Sequence, residues 1–402
     1  MKKILLGTTA FVAVGAVAGG AYADSQPIKM GIGGYWRGSF GDVVSQSACN
    51  QTGALKNSGS CNTHRQGMEQ DSLLDFNGST TLDNGLTVGV HIQLRGVAAS
   101  SSTDTEKRSY VQFKGNFGEV RFGDQDDARL TMALTAPTAG SLFGVNSPFF
   151  AWNNSPVGTN TTSLPIDTKR SQRIAYYSPR IAGFQLGAAY APDSRKAGTF
   201  GGTAPGFPTD NDAGQNSQHW DVALSYDNKF GDFRLQGWGA VSGTHQEAPR
   251  GASTNPLVSP YAYAGGAQVA WGPFAFGGDY ELVTNHRTSS PASTGGGELN
   301  DHVFDLGALY TVGPFSVSLD WSRGTYTGFA NAAGGVCTGA CGADSVLNTE
   351  ELVLDYVLGP GISVGAALEL NQYRAGVAEV PGAVATHDYH STSLEFGTAV
   401  TF

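Results

Sequence analysis

The sequence predicts an all-β protein, a sixteen-stranded antiparallel transmembrane β-barrel with short turns at one end, long loops at the other and a third loop folded inward. Three observations predict it. A unit recurs in which a turn glycine leads, through at most one residue, to a phenylalanine and then a strand of alternating small and apolar residues. It occurs as Gly115-Asn-Phe117, Gly183-Phe184, Gly231-Asp-Phe233, Gly272-Pro-Phe274 and Gly313-Pro-Phe315, with Gly359-Pro-Gly-Ile362 as a variant. Each unit joins two runs of period-two alternation, the mark of a tight antiparallel hairpin. Connections alternate between short turns and long polar segments, and the strands come to an even number, as a closed single-chain barrel requires.

In chain order the expected strands are 28–40, 70–82, 86–98, 107–115, 118–124, 170–179, 184–191, 218–228, 233–242, 261–271, 274–284, 301–311, 315–325, 348–358, 362–373 and 388–402. Most are near the ~9–11 residues that a tilted strand needs to cross the hydrocarbon. The turn Asp83-Asn84-Gly85 supplies the positive φ angles of a tight hairpin. Short turns then face the periplasm, and long extracellular loops fall at 41–69, 99–106, 125–169, 192–217, 243–260, 285–300, 326–347 and 374–387.

Parity assigns the faces. In the third strand Leu86, Val88, Val90, Ile92 and Leu94 oppose Thr87, His91, Gln93 and Arg95; in the thirteenth, Phe315, Val317, Leu319 and Trp321 oppose Ser316, Ser318, Asp320 and Ser322. A soluble sandwich also alternates. The even strand count, an export signal and the phenylalanine beside each short turn favour the membrane barrel, whose interfaces carry aromatic girdles. Leu394, Phe396, Val400 and Phe402 share one face of the last strand, and a terminal aromatic there is similar to the insertion signal of outer-membrane proteins.

The export signal is read in residues 1–23: Met1-Lys2-Lys3, an apolar run from Ile4 to Val17, and Ala21-Tyr22-Ala23 before Asp24. That run is too short for the ~20 residues of a membrane helix. Residues 24–402 are then one barrel domain. Without Lys2 and Lys3, 22 basic residues face 34 acidic ones, a net charge of −12, which argues against nucleic-acid binding. Cys49 with Cys61, and Cys337 with Cys341, read as two disulfides closing loops in an exported chain. No metal is expected at these cysteines, which lack CxxC spacing, nor at the scattered histidines. No catalytic motif of the G-x-S-x-G, H-E-x-x-H or Walker type occurs. No cofactor is expected. Loop-bound calcium at Asp124 to Asp127 or at Asp210-Asn211-Asp212 is the alternative to plain solvated acids.

The insertion after the fifth strand carries the main functional signal. It opens Gly123-Asp124-Gln125-Asp126-Asp127-Ala128-Arg129 and becomes apolar and aromatic through Leu142, Phe143, Phe149, Phe150 and Trp152. Apolar content of that kind suits a segment packed on the inner wall of the barrel. Asp124, Asp126 and Asp127 would then form the acidic side of a constriction. Parity aims Lys29, Arg37, Arg95, Arg108, Lys114, Arg121 and Arg173 inward as its basic side. Opposed charges set up a transverse field that favours polar solutes. For any single residue, an ordinary lumen charge is the simpler reading.

The stretch Gly115-Asn-Phe-Gly-Glu-Val-Arg-Phe-Gly-Asp-Gln125, with Arg173-Ile-Ala-Tyr-Tyr-Ser-Pro179, Ala182-Gly-Phe-Gln-Leu-Gly187, Tyr190-Ala-Pro192 and Thr80-Thr-Leu-Asp-Asn-Gly-Leu86, resembles the general porins of Gram-negative bacteria. The resemblance implies a homotrimeric outer-membrane channel for passive diffusion of small hydrophilic solutes and ions, set among lipid and lipopolysaccharide. It also implies that the third loop forms the constriction. Where family members often carry Arg in a Gly-Arg-Gln pattern, this chain has Asp124. Other readings are a solute-selective porin with an aromatic track from Phe200, Phe207, Tyr261 and Tyr263, an outer-membrane hydrolase, and a structural or adhesive barrel.

Overall fold

The computed structural model describes residues 27–46, 65–96, 106–146, 170–193, 216–247, 259–284, 300–326, 344–374 and 389–402. The four cysteines, residues 1–26, Phe149, Phe150, Trp152, Phe200, Phe207 and the 210–212 acids lie outside them. Sixteen strands form: β1 (Lys29–Gln46), β2 (Gln66–Thr81), β3 (Thr87–Arg95), β4 (Glu106–Gly115), β5 (Gly118–Asp126), β6 (Arg170–Tyr177), β7 (Phe184–Asp193), β8 (Asn216–Phe230), β9 (Phe233–Gln246), β10 (Tyr261–Trp271), β11 (Phe274–Thr284), β12 (Asp301–Val312), β13 (Phe315–Tyr326), β14 (Ser345–Gly359), β15 (Ile362–Arg374) and β16 (Tyr389–Thr401). Among the described residues one short helix, α1 (Ala128–Met132), follows β5.

Each strand pairs antiparallel with its sequence neighbours, and β1 closes the barrel against β16, with Tyr35 opposite Thr401 and Gln46 opposite Ser391. Closure satisfies every ladder and leaves no edge, the condition for β-structure in lipid. The strands beside the long connections run further than alternation suggests: β1 continues to Gln46, β2 starts at Gln66 and β9 reaches Gln246. There the ladder of backbone hydrogen bonds outlasts the apolar band, so pairing continues where the sequence carries no lipid-facing pattern.

Alternation is visible as opposed exposures. On β13, Phe315 and Leu319 are 58% and 63% exposed, whereas Ser318, Asp320 and Ser322 are buried. Rings gather at the short-turn end, with Phe233 on Trp271 at 5.8 Å, Phe274 on Tyr310 at 5.0 Å and Phe315 on Tyr356 at 4.5 Å. Such a belt suits the membrane interface. Turn glycines take the conformation required there: Gly85 has φ 81° and donates its N–H to Leu82 O at 2.8 Å.

Candidate functional site: the lumen and its constriction

After β5 the chain does not leave the barrel. Asp127 caps α1, its Oδ1 accepting the Leu130 N–H at 2.6 Å, and turns the chain inward. Ala128 and Met132 pack on Ala175, Tyr177 and Ala189 of the inner wall. Room for this helix comes from Gly187, where a Cβ would sit 2.4 Å from Met132 Sδ. Arg129 then donates its N–H to Asp221 Oδ1 at 3.0 Å and its guanidinium to Glu281.

Beyond the helix the segment runs around the wall. Trp238 Nε1 donates to Leu134 O at 2.8 Å, and Gln268 Nε2 to Thr135 O. Thr138 Oγ1 donates to Asp320 Oδ2 at 2.9 Å, and Ala139 N to Ser318 Oγ at 3.0 Å. Leu142 and Phe143 bury themselves against Val353, Ala367 and Ala399 of β14, β15 and β16. Gly144 N donates to Glu351 Oε1 at 3.0 Å, Asn146 Nδ2 donates to Asp305 Oδ2, and Arg37 Nη1 reaches from β1 to Ser141 O at 2.9 Å. Lumen-facing Gly307, Gly365 and Gly397 leave the groove in which it lies: a Cβ would meet Pro137 O at 2.7 Å, Leu142 at 3.3 Å and Phe143 at 3.2 Å respectively. The inward-folded third loop is thus a feature of the structure.

Beneath the segment lies a wall of carboxylates. Asp221, Asp279, Glu281, Asp305, Asp320, Glu351, Glu369 and Glu395 are all buried on β8 and β11–β16. An irregular segment inside a membrane barrel has backbone N–H groups without a ladder partner, and these side chains supply acceptors for them. Of these, the alternation of the thirteenth strand places Asp320 on a polar face. The others were available to the same parity rule, as acids alternating with lipid-facing Leu, Val and Phe.

The opposite wall, β1–β6, carries the open charges. Arg37 pairs with Asp71 at 2.8 Å and lies over the Tyr35 ring at 4.4 Å. Arg108 and Arg170 both grip Asp126, Nε of each at 3.0 Å. Lys107 stands among Arg170, Arg108, Asp71 and Arg95. Five cations therefore gather around two contacting acids, with Asp124 buried behind. A cavity of about 190 Å³ is lined by Arg37 together with Thr138, Ser141 and Asn146 of the segment.

The remaining expected residues are spread out. Arg121 pairs with Glu119 at 2.5 Å between the Tyr110 and Tyr177 rings, below the cluster. Arg173 is buried beside Ser171, its Nη2 donating at 2.8 Å. Lys29 and Lys114 are exposed near the turns, opposite Ser79 and Glu119. Asp124 and Asp127 are buried at the root of the segment rather than at its exposed edge. Burial opposes the charge of Asp127, but the adjoining His219, Arg129 and Arg173 outweigh it and hold the carboxyl below its ordinary range. Burial likewise opposes the Arg129 charge, and Glu281, Asp127 and Asp221 outweigh it, raising the pKa.

Two residues of the cation cluster escaped the sequence reading. Lys107 sits at a register shift, where Gln93 faces Arg108 and Leu94 faces Glu106, so strict parity fails there. Arg170 is the first residue of β6, at the end of the long insertion. The suggested aromatic track is corrected in part. Tyr261 and Tyr263 are 40% and 49% exposed and alternate with Ala262, which is buried, so they lie on the lipid side.

A barrel of this topology with an inward segment narrowing a charged lumen defines a channel of the outer-membrane class. The family model described as Gram-negative porin matches residues 8–376, and the chain belongs to that family. It is 30% identical over 128 residues to Outer membrane porin protein 32 of Delftia acidovorans, covering 31% of this chain and 35% of that one. To Major outer membrane protein P.IB of Neisseria gonorrhoeae it is 27% identical over 161 residues, or 39% and 38% of the two chains. The matched part thus spans about a third of the length of these relatives. In fold it is similar to the anion-selective porin from Comamonas acidovorans, with TM-score 0.57 and 17% identity over 94% of this chain and all of that one. It is also similar to the channel DcaP of Acinetobacter baumannii, with TM-score 0.59 and 12% identity over 96% and 100%. The protein is an outer-membrane barrel of a Gram-negative bacterium.

Proposed function

We propose that this porin is a passive diffusion pore for small hydrophilic solutes, working as a homotrimer, and that its constriction favours anions. The observation that carries the anion preference is the unequal covering of the two walls. Carboxylates on β8 and β11–β16 are buried under the 127–146 segment, whereas Arg37, Arg95, Lys107, Arg108 and Arg170 crowd the uncovered side. Counting Asp71, Asp75, Asp124 and Asp126 against these five cations leaves a surplus of one positive charge where the lumen narrows. A unit charge about 5 Å from a passing ion acts with roughly 1–3 kcal/mol, between the limits of water and a protein surface, before salt screens it.

Reversal potential in a planar bilayer under a KCl gradient tests the reading. The expected sign is that of chloride preference. Lys107→Gln, Arg108→Gln and Arg170→Gln together move the potential toward potassium, because Asp126 is then left without its arginines. A potassium-selective parent pore, or a triple variant with the parent's potential, overturns the proposal. Chemical crosslinking of the folded protein in detergent reports the trimer.

A further inference from the structure

We propose that Asp127, His219 and Asp221 form a binding site for a divalent transition-metal ion such as Zn²⁺, which clasps the root of the inward segment to β8. These residues come from the cap of α1 and from one strand 92 positions later, so no spacing rule joins them. Their side chains are 4%, 2% and 0% exposed. His219 Nε2 lies 3.6 Å from Asp127 Oδ2 and 3.9 Å from Asp221 Oδ2, and one donor atom from each residue falls within 4.8 Å of the other two.

The distances carry the inference. An imidazolium bound directly to a carboxylate closes to about 2.7–2.9 Å. Donors that share a metal at about 2.0–2.2 Å from each stand wider apart, at roughly 3.3–3.6 Å for tetrahedral angles, so the 3.6 Å pair fits as it stands and the 3.9 Å pair needs a small closing movement. The carboxylates are also held ready. Asp127 Oδ1 takes the Leu130 N–H and Asp221 Oδ1 takes the Arg129 N–H, so a backbone amide fixes one oxygen of each acid. The second oxygen of each then faces the histidine, and Asp221 Oδ2 accepts no hydrogen bond among the described residues. Fixing of this kind by neighbouring hydrogen bonds is what orients ligands in metal centres.

Charge and donor type agree. Arg129 gives its guanidinium to Glu281, with Nε 3.8 Å from Asp127, and so does not fill the centre. Asp127, Asp221 and Glu281 exceed Arg129 and Arg173 by one negative charge, so a cation is not repelled. One imidazole and two carboxylates suit Zn²⁺ and its first-row neighbours better than Ca²⁺ or Mg²⁺, which take oxygen ligands alone. A bound ion ties α1 to β8 and stabilises the inward arrangement by linkage.

The test uses the full folded barrel, dialysed against EDTA and titrated with Zn²⁺ by calorimetry and with Co²⁺ by visible absorption. One equivalent per chain is expected, with Zn²⁺ displacing Co²⁺ and the temperature of heat-modification on gels rising with added Zn²⁺. His219→Gln and Asp221→Asn should each weaken binding by at least about 10–100-fold, the loss that removing even a supporting partner of a ligand brings. X-ray absorption of the zinc-loaded parent gives a check that needs no variant to fold: one imidazole nitrogen and oxygen donors at about 2.0–2.2 Å. Stoichiometry well below one, a shell with two or more imidazoles, or full binding in a folded His219→Gln barrel overturns the assignment; the last two place the metal on other histidines.

Discussion

The two halves of the lumen wall are made from the same alternating strands but meet the interior differently. On β8 and β11–β16 the inward side chains are carboxylates, serines and small residues, and the 127–146 segment lies on them. On β1–β5 arginines, lysines and tyrosines stand among a few acids and stay largely open, although Arg37 reaches the segment at Ser141 and Tyr177 and Arg173 of β6 are buried. The first wall serves a backbone that has left the ladder: Asp221, Ser318 and Glu351 accept its amides, and Asp305, Asp320 and Glu281 its side chains. On the opposite wall the acids are already engaged by cations, Asp71 by Arg37 and Asp126 by Arg108 and Arg170, so the segment takes its carboxylate acceptors from β8 and β11–β16. The comparison teaches that acidic residues in a pore need not set its selectivity. Here those acids accept hydrogen bonds from the inward segment, and on the proposed reading the charges left in the open set the ion preference.

Removing the cover should break the contrast most. Excision of 133–146 with a short glycine linker exposes Asp279, Asp305, Asp320, Glu351, Glu369 and Glu395 to the lumen. Single-channel conductance should rise, and the reversal potential should cross to potassium preference; conductance at the parent's value would place the narrowing elsewhere. A sharper comparison concerns the outer face, which is alike on both halves. Leu319→Arg on the acidic side and Val90→Arg on the basic side both put a charge into lipid, since these residues are 63% and 47% exposed outward. Each should cost roughly 2–4 kcal/mol if near the midplane. Urea unfolding in liposomes measures it, and a large difference between the two would mean that the lumen charge reaches the lipid face.

The smallest effect belongs to a pair outside the contrast. Arg234 and Asp227 meet at 2.6 Å near a short turn, with the arginine half exposed. Exposed pairs contribute little, so Asp227→Asn should change stability by less than about 1 kcal/mol and leave the reversal potential unmoved.

Much of this arrangement was legible along the chain. Sixteen strands, the lipid-facing parity of Leu319 and Phe315, and the inward folding announced by Leu142 and Phe143 all follow from local pattern, because a strand repeats every two residues and the bilayer rewards one face. Arg37 and Arg108 were legible for the same reason. Lys107 was not, since one extra residue in β4 shifts the parity it would need. Neither was the fate of Asp124 and Asp127, which the inward folding of the insertion offered as constriction acids and which lie buried at the root of the segment.

By itself, then, the sequence determined the barrel, its faces and the existence of an inward segment, for these depend on near neighbours and on the membrane. Only the tertiary structure decided which charges the pore keeps. That depends on the path the segment takes along the wall from β6 round to β16, set by the lumen glycines that make room for it and by carboxylates brought together from β8 to β16. Residues as far apart as Asp127, His219 and Asp221 become neighbours only when the barrel closes and the segment turns into it.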